Sequence, residues 1–239
     1  MSTTTPTVLL VHGAFADAGS WSGVIAELQA HGIPVIAPPN PLRGLASDAA
    51  YIASVAAQID GPVVLVGHSY GGAVITVAGA TENVVGLVYV AAYVPEEGES
   101  LGALQGRFPL APLVSNLKEW TYPGPGGEPA VEVTIAEAAF PSVFAADVPT
   151  DVTTVLAAAQ RPLAAAVFDE TAATAAWQTK PSWALVAAAD EAINPEVQRF
   201  GAKRAGATVV ELEGASHAVA VSQSKQVADL IRDAVRATS

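Results

Sequence analysis

The sequence predicts an α/β fold in which a mostly parallel sheet of about six strands is flanked by helices. Short apolar runs rich in branched residues alternate along the chain with segments of helical spacing. These runs are continuously apolar, as in strands that are buried on both faces, and repeated strand–helix units make such strands parallel. With 239 residues, of which 51% are hydrophobic and 14% charged, the chain is long and apolar enough for a large core.

The predicted elements follow one another in order. The strands share an apolar, branched composition and cover 7–11, 33–39, 62–66, 84–92, 182–189 and 207–212. The helices place apolar residues three or four positions apart and cover 20–31, 46–59, 70–80, 195–205 and 222–236, with Trp21 expected in the core. Gly32 is expected to end the first helix, while Asn194 and Pro195 are expected to begin the fourth.

Residues 96–180 interrupt this alternation. They contain the Gly/Pro-rich stretch TYPGPGGEP at 121–129, which indicates a turn, and a helical piece at 153–160. A connection of this length is seldom without structure, so we expect a helical cap inserted before the strand at 182–189. Residues 1–95 and 181–239 then form the core, with ligands bound at the carboxyl ends of its strands.

Composition disfavours several classes of partner and cofactor. The formal net charge of −12 repels nucleic acid, and the absence of cysteine excludes disulfides and thiolate-bound metals. The sequence shows neither a signal-peptide pattern nor an apolar run of roughly 18 residues, so we expect a cytoplasmic protein without a membrane partner. No metal-ligand cluster is apparent, and VHGAFADAGSW lacks the glycine spacing of a dinucleotide-binding loop.

The stretch Gly67-His68-Ser69-Tyr70-Gly71 joins a predicted strand to a predicted helix. A G-x-S-x-G pattern at such a junction is typical of a nucleophile elbow, in which the serine Oγ is exposed on a sharp turn. Serine is also a common helix N-cap, which is the alternative interpretation of Ser69.

A nucleophilic serine needs a base and an acid that orients the base. His217 follows the last predicted strand, and Asp190 follows the strand at 182–189, so the chain order is Ser, Asp, His. Asp190 could instead be a turn residue, with Glu191 in its place or Glu96 and Glu97 as more distant alternatives. His217 could likewise be a surface or capping residue.

The other three histidines have simpler interpretations. His31 is expected in solvent, His68 in packing beside the serine, and His12 in a plain strand–helix turn.

An oxyanion hole requires two backbone N–H groups. We expect one from Tyr70 and the other from Ala14, or otherwise from Phe15, in the loop after the first strand.

These motifs together resemble the α/β-hydrolase superfamily. HGAFADAGSW, GHSYGG, Asp190 and SHAVAVSQ are similar to small bacterial esterase-like members, which are related to plant methylesterases and hydroxynitrile lyases. The resemblance covers about residues 7–236 and is weakest in the cap. It implies the α/β-hydrolase fold, Ser69 as nucleophile, His217 as base with Asp190 as its partner, and no cofactor.

The resemblance also separates alternative reactions. Cyanohydrin-cleaving lyases of this group carry threonine at the place of Gly13 and lysine directly after the catalytic histidine, where this chain has Ala218. An esterase is therefore favoured over a lyase. Epoxide hydrolases and haloalkane dehalogenases use an aspartate nucleophile, so Ser69 argues against both.

The expected substrate is a small, fairly apolar ester or lactone, because binding pockets are mostly apolar and the cap is apolar. Cap residues that could line a pocket, or belong to the core instead, are Phe140, Phe144, Leu163 and Phe168. A weakly catalytic ligand receptor stays an alternative to an enzyme. The oligomeric state is left open, a homodimer included.

Overall fold

A computed structural model describes residues 5–239, which form two sheets. The main sheet has six parallel strands in the order β2-β1-β3-β4-β8-β9. These strands are β1 (Thr7–Val11), β2 (Val35–Ile36), β3 (Val63–His68), β4 (Val84–Val90), β8 (Ser182–Ala187) and β9 (Thr208–Leu212). The six-stranded parallel sheet predicted from the sequence is confirmed.

Helices cover both faces of the main sheet. They are α1 (Ser22–Ala30), α2 (Leu45–Ala57), α3 (Tyr70–Ala78), α7 (Pro195–Arg204), α8 (Val219–Ser222) and α9 (Ser224–Thr238). Helices α1, α8 and α9 share one apolar core with alternate strand residues such as Val8 and Leu10. Helices α2, α3 and α7 share the other core with the intervening Leu9 and Val11. Both faces of each central strand are thus buried, which explains the continuous apolar runs.

Residues 96–180 contain more β-structure than the sequence indicates. Their helices are α4 (Leu101–Gln105), α5 (Phe140–Phe144) and α6 (Thr150–Ala158). Their strands are β5 (Leu117–Pro123), β6 (Pro129–Ile135) and β7 (Leu163–Ala164), which form an antiparallel sheet. The expected turn is the connection between β5 and β6, and the expected helical piece is α6. The description of the cap as helical is therefore incomplete, because β5 is mostly exposed and carries no apolar run.

The residues predicted to end the first helix and to begin the helix after Asn194 agree with the structure. Gly32 has φ of 69°, a left-handed conformation that suits glycine after a helix. The Asn194 side chain accepts a hydrogen bond from the N–H of Glu196 at 2.9 Å and caps α7. The strand predicted at 33–39 shrinks to two residues because it lies at the sheet edge between prolines.

The apolar core shared by α2, α3 and α7 continues into the cap, where it includes Val133, Phe140 and Leu163. The boundaries at 95/96 and 180/181 stay a prediction. None of the helices described is long and apolar enough to cross a membrane.

Candidate active site

Ser69 lies at the sharp turn between β3 and α3, with φ of 56° and ψ of −123°. Such a conformation is strained for a residue with a Cβ and is typical of functional turns. A Cβ on Gly67 would come within 2.4 Å of the Gly71 carbonyl oxygen, and one on Gly71 within 2.4 Å of the Val11 carbonyl oxygen. Only glycine fits at both flanking positions, because each lies directly against backbone.

The helix-cap interpretation of Ser69 fails. Within residues 5–239 its side chain makes no capping hydrogen bond to α3, although its backbone carbonyl accepts from the N–H of Gly72 at 3.0 Å. The Oγ is therefore free for another partner, and Ser69 lines a cavity between the main sheet and the cap.

Asp190 and His217 form a buried hydrogen-bonded pair. Asp190 follows β8 and His217 lies between β9 and α8, so the carboxyl ends of two neighbouring strands bring them together. His217 Nδ1 lies 2.6 Å from Asp190 Oδ2, and the two side chains are 1% and 0% exposed. Because Nδ1 is committed to Asp190, Nε2 is the ring nitrogen left for a reacting group. His217 lines the same cavity as Ser69.

The alternative acids do not meet the histidine. Glu191, Glu96 and Glu97 are all exposed, whereas Asp190 occupies the hydrogen-bonding position beside His217. Their backbone positions explain this, since Glu191 follows the turn and the other two lie beyond the end of β4.

The Asp190 carboxylate accepts three further hydrogen bonds. Its Oδ1 accepts from the N–H groups of Ala192 at 2.7 Å and Ile193 at 2.9 Å, and its Oδ2 accepts from Gln198 Nε2 at 2.7 Å. These donors compensate its burial and fix its orientation. The Gln198 amide also accepts from the N–H of Ala187 through Oε1 at 3.0 Å.

Gln198 was missed in the sequence. It lies on the buried stripe of α7 together with Val197, Gly201 and Ala202. Local sequence gives no signal for this role, because the contact between Gln198 and Asp190 exists only in the folded chain.

His68 does more than pack. Its ring contacts the rings of Trp21, Phe144 and His217, and its Nε2 lies 2.8 Å from the His217 carbonyl oxygen. Burial, followed by the neighbouring His217, lowers the pKa of His68 to about 3, so the ring is neutral and Nε2–H donates to that carbonyl. Its Nδ1 is buried with no hydrogen-bond partner among the described residues. His68 thus holds the backbone of His217.

His12 fixes the loop after β1. The N–H of Asn40 donates to His12 Nε2 at 2.9 Å, so Nδ1–H is the nitrogen that donates to the Gly13 carbonyl at 2.9 Å. Burial lowers the pKa of His12 and favours this neutral form. Because a trans peptide unit is planar, a fixed Gly13 carbonyl directs the Ala14 N–H the opposite way. The Phe15 N–H already donates to the Arg161 carbonyl at 3.1 Å.

Tyr70 begins α3 directly after Ser69. Its hydroxyl donates to Asp48 Oδ2 at 2.8 Å, and burial raises the pKa of Tyr70, so this hydroxyl stays protonated. The buried pair ties the first residue of α3 to α2.

The cavity has a volume of about 180 Å³ and is mostly apolar. Its apolar lining from the cap includes Leu101, Leu113, Val114, Leu117, Leu163 and Phe168. Its polar side chains are Ser69, His217, Tyr70, Tyr93 and Gln105.

Of the four apolar cap residues singled out in the sequence, Leu163 and Phe168 line this cavity. Phe140 and Phe144 stack on each other with ring centroids 4.8 Å apart, and Phe144 meets the His217 ring edge-on at 4.9 Å.

Trp21 is fully buried, as predicted. Over residues 5–239 the side chains form no group of three acids or histidines suited to a metal ion.

Comparison with known proteins decides the family. Residues 8–230 match the model of the alpha/beta hydrolase family. The chain belongs to the alpha/beta hydrolase family. The fold, and the family resemblance expected from the sequence motifs, are both confirmed by this match.

Two curated relatives of this alpha/beta hydrolase share about half of their length with it. A probable hydrolase R7 from Phoma sp. is 37% identical over 113 residues, which are 41% of this chain and 46% of the relative. A carbendazim hydrolyzing esterase from Nocardioides sp. is 35% identical over 112 residues, which are 40% of this chain and 46% of the relative.

Solved structures of two plant-type esterases share the whole fold. Polyneuridine aldehyde esterase has a TM-score of 0.83 and 21% identity, with 97% of this chain and 99% of that chain covered. The methylesterase MES16 from Arabidopsis has a TM-score of 0.76 and 18% identity, with 96% and 98% covered. At this identity the likeness establishes the fold alone.

Proposed function

We propose that this alpha/beta hydrolase is a serine carboxylesterase that cleaves a small, fairly apolar ester or lactone through an acyl-enzyme intermediate. The observation that carries the proposal is the buried Asp190–His217 pair, which lines one cavity together with the uncapped Ser69 on its strained turn. A nucleophile, a base and an orienting acid are thus available at one place.

The reaction proceeds in two halves. His217 Nε2 takes the Ser69 Oγ proton while Oγ attacks the ester carbonyl carbon. The bond to the leaving oxygen then breaks, and His217 returns the proton to the departing alcohol. Water attacks the acyl group on Ser69 by the same route, with His217 as base, which releases the acid and restores the Ser69 hydroxyl. Asp190 keeps Nδ1 protonated, so Nε2 can accept a proton during each attack and return it when each tetrahedral intermediate collapses.

The oxyanion of each tetrahedral intermediate is stabilised by the N–H groups of Tyr70 and Ala14. Tyr70 is the first residue of α3, so its N–H has no partner within the helix and lies at the positive end of the helix dipole. Ala14 is favoured over Phe15 because the Phe15 N–H is already bonded to Arg161. His12 supports this hole by fixing the Gly13–Ala14 peptide.

Esterase chemistry is favoured over cyanohydrin cleavage by the space around Ser69. A Cβ on Gly13 would lie 2.6 Å from Ser69 Cβ, so this backbone has no room for the threonine of the lyases. At the lyase lysine position stands Ala218, which is buried and whose N–H donates to the Phe144 carbonyl at 2.9 Å. A leaving cyanide would meet no cationic side chain there.

The cavity supports a small apolar acyl group. Its volume of about 180 Å³ and its aliphatic lining suit a short hydrocarbon chain. The names of the relatives, an esterase among them, point to the same reaction class.

The test is hydrolysis of a p-nitrophenyl ester series from acetate to octanoate, combined with organophosphonate labelling. We expect the short esters to be cleaved, Ser69 to carry the label, and Ser69→Ala to lose at least about 1000-fold in kcat with an unchanged circular-dichroism spectrum. Ser115→Ala, at an exposed position of the short 3-10 helix Pro112–Asn116, is the matched control and should behave as wild type.

Three results would point elsewhere. An unlabelled, inactive protein contradicts the proposal. Labelling of Ser69 without turnover of any ester favours a receptor. Cleavage of mandelonitrile in preference to the esters favours the lyase reaction.

A further inference from the structure

We propose that Gln105 is a specificity-determining residue, which presents its amide N–H2 group to the substrate and selects acyl chains that carry a hydrogen-bond acceptor oxygen. This inference rests on the proposed esterase function and narrows its substrate class. The preferred esters then have a keto, ether or hydroxyl oxygen several bonds from the scissile carbonyl, within an otherwise hydrocarbon chain.

The first step is the orientation of the amide. The Tyr93 hydroxyl donates to Gln105 Oε1 at 2.8 Å. Burial, followed by the nearby Asp190, raises the pKa of Tyr93, so the hydroxyl remains a donor. A phenol that donates requires the carbonyl oxygen of the amide as its acceptor. The N–H2 group is therefore on the other side of the amide, and within residues 5–239 it forms no hydrogen bond.

The second step is the position of Gln105 relative to the nucleophile. The N–H of Tyr93 donates to the Ser69 carbonyl at 3.2 Å, while the Tyr93 hydroxyl holds Gln105. Tyr93 therefore contacts the elbow through its backbone and the amide through its side chain. Both Gln105 and Ser69 line the cavity, so an acyl chain attached to Ser69 Oγ can extend toward the amide.

The third step is the chemistry of the surroundings. The cavity that Gln105 lines is largely aliphatic, with Leu101 of the same helix and with Leu113 and Val114. A hydrocarbon chain in contact with the amide would displace water from its two N–H donors without offering an acceptor in its place. A site with a polar group of this kind discriminates against substrates that lack the partner.

The fourth step is the rigidity of the support. Gln105 is the last residue of α4, whose start is capped by the Ser100 hydroxyl. The preceding Glu99 forms ion pairs with Arg204 of α7 and, at 3.0 Å, with Arg107. The short helix is thus fixed to the core at one end and the amide is fixed by Tyr93 at the other, so little entropy is lost when the substrate binds.

The experiment compares two esters of the same shape. p-Nitrophenyl 4-oxopentanoate has a carbonyl where p-nitrophenyl 4-methylpentanoate has a branched methyl group. The measured quantity is the ratio of their kcat/KM values in wild type, in Gln105→Met, which keeps the length of the side chain, and in Gln105→Glu, which replaces the donor by an acceptor. The 3-oxo and 5-oxo esters locate the acceptor along the chain.

We expect the keto-to-hydrocarbon ratio to fall about 5-fold or more in both variants, the magnitude of one hydrogen bond. The 4-methylpentanoate ester should be cleaved by Gln105→Met at least as fast as by wild type. Tyr93→Phe, which frees the amide to rotate, should lower the ratio by a smaller factor. A merely structural role of Gln105 would slow all esters together and leave every ratio unchanged, which would overturn the inference.

A second measurement separates this inference from the esterase proposal. Methyl 4-oxopentanoate and methyl 4-methylpentanoate are titrated against Ser69→Ala, with and without Gln105→Met, and their Kd values are compared. Weaker binding of the keto ester alone in the double variant supports the role of Gln105 even if wild type hydrolyses no ester. Equal Kd ratios, together with normal hydrolysis by wild type, overturn the role of Gln105 and leave the esterase proposal intact.

Discussion

Substitution of Gly13 by alanine tests whether the loop after β1 and the elbow are fitted to each other for catalysis. The new Cβ would lie 2.6 Å from Ser69 Cβ and 2.8 Å from the His68 carbonyl oxygen. To reach ordinary contact at 3.4 Å, Ser69 or the loop must move by about 0.8 Å. A misplacement of roughly 1 Å between reacting groups costs about 100-fold in rate.

We therefore expect Gly13→Ala to lower kcat/KM for p-nitrophenyl butyrate by about 100-fold. Overpacking of this kind also costs about 1–3 kcal/mol in the free energy of unfolding, with a fall of about 2–4 °C in Tm per kcal/mol for a chain of this size. The assay is steady-state hydrolysis at 25 °C, where the folded fraction is still near one, with Tm from circular dichroism.

Gly23→Ala is the matched control. Its Cβ would lie 2.7 Å from Ser224 Cβ, a clash of the same size between α1 and the start of α9, away from the elbow. It should lower Tm comparably and leave kcat/KM within about twofold of wild type. Full activity of Gly13→Ala, or an equal loss in both variants, would refute the reasoning, because the effect would then be absent or simply one of stability.

Three further predictions concern the groups that support the proposed nucleophile. Asp190→Asn should lower kcat by about 10⁴-fold in the same ester assay, because the amide can favour the wrong His217 tautomer, and a loss below tenfold would contradict the proposed role. Gln198→Leu leaves the Ala187 N–H without its acceptor, so urea titration should show that the free energy of unfolding falls by about 1–3 kcal/mol. An unchanged midpoint would count against a stabilising role of Gln198. The pKa of His68 is about 3 in the folded state, against 6.5 in the unfolded state. Between these two values the unfolded state binds more protons, so the free energy of unfolding falls as the pH falls through this window. The variant His68→Gln can still donate to the His217 carbonyl but has no proton to gain. Between pH 6.5 and 4.5, the slope of its unfolding free energy against pH should be smaller than that of wild type by up to about 1.4 kcal/mol per pH unit. An identical slope would contradict the lowered pKa of His68.

The main sheet was predictable because the apolar pattern that produces each strand lies within one short stretch of sequence. Alternate residues of β1 enter opposite cores, Leu9 with α2 and α3 and Leu10 with α1 and α9. A strand buried on both faces must be apolar throughout, and this pattern is visible in one stretch of sequence. The β5–β6 hairpin has no such pattern, since Trp120 and most of its neighbours in β5 are exposed and the pairing is stabilised across the sheet.

The candidate triad was predictable for a related reason. The elbow glycines are local, and Asp190 and His217 each follow a strand whose carboxyl end lies at the same edge of the sheet. The supporting groups have no local signature. Gln198 reaches Asp190 from a helix, and His68 reaches the His217 carbonyl across 149 positions of sequence, so only the folded chain shows these contacts.

The cap supports the candidate active site as well as lining the cavity. The N–H of Ala218 donates to the Phe144 carbonyl of α5 at 2.9 Å, and the Ser216 hydroxyl donates to Asp147 just beyond α5. The loop that carries His217 is thus bonded to the cap on both sides of the histidine. A cap that lifted as one rigid lid would break both bonds and leave this loop held by Asp190 and His68 alone among the contacts of His217 named above. Substrate entry is therefore compatible with movement of the mostly exposed β5, which carries Leu117, and of its connection to β6, while α4 and α5 remain in place. Selectivity can then change by substitution in those segments without disturbing the alignment of the reacting groups.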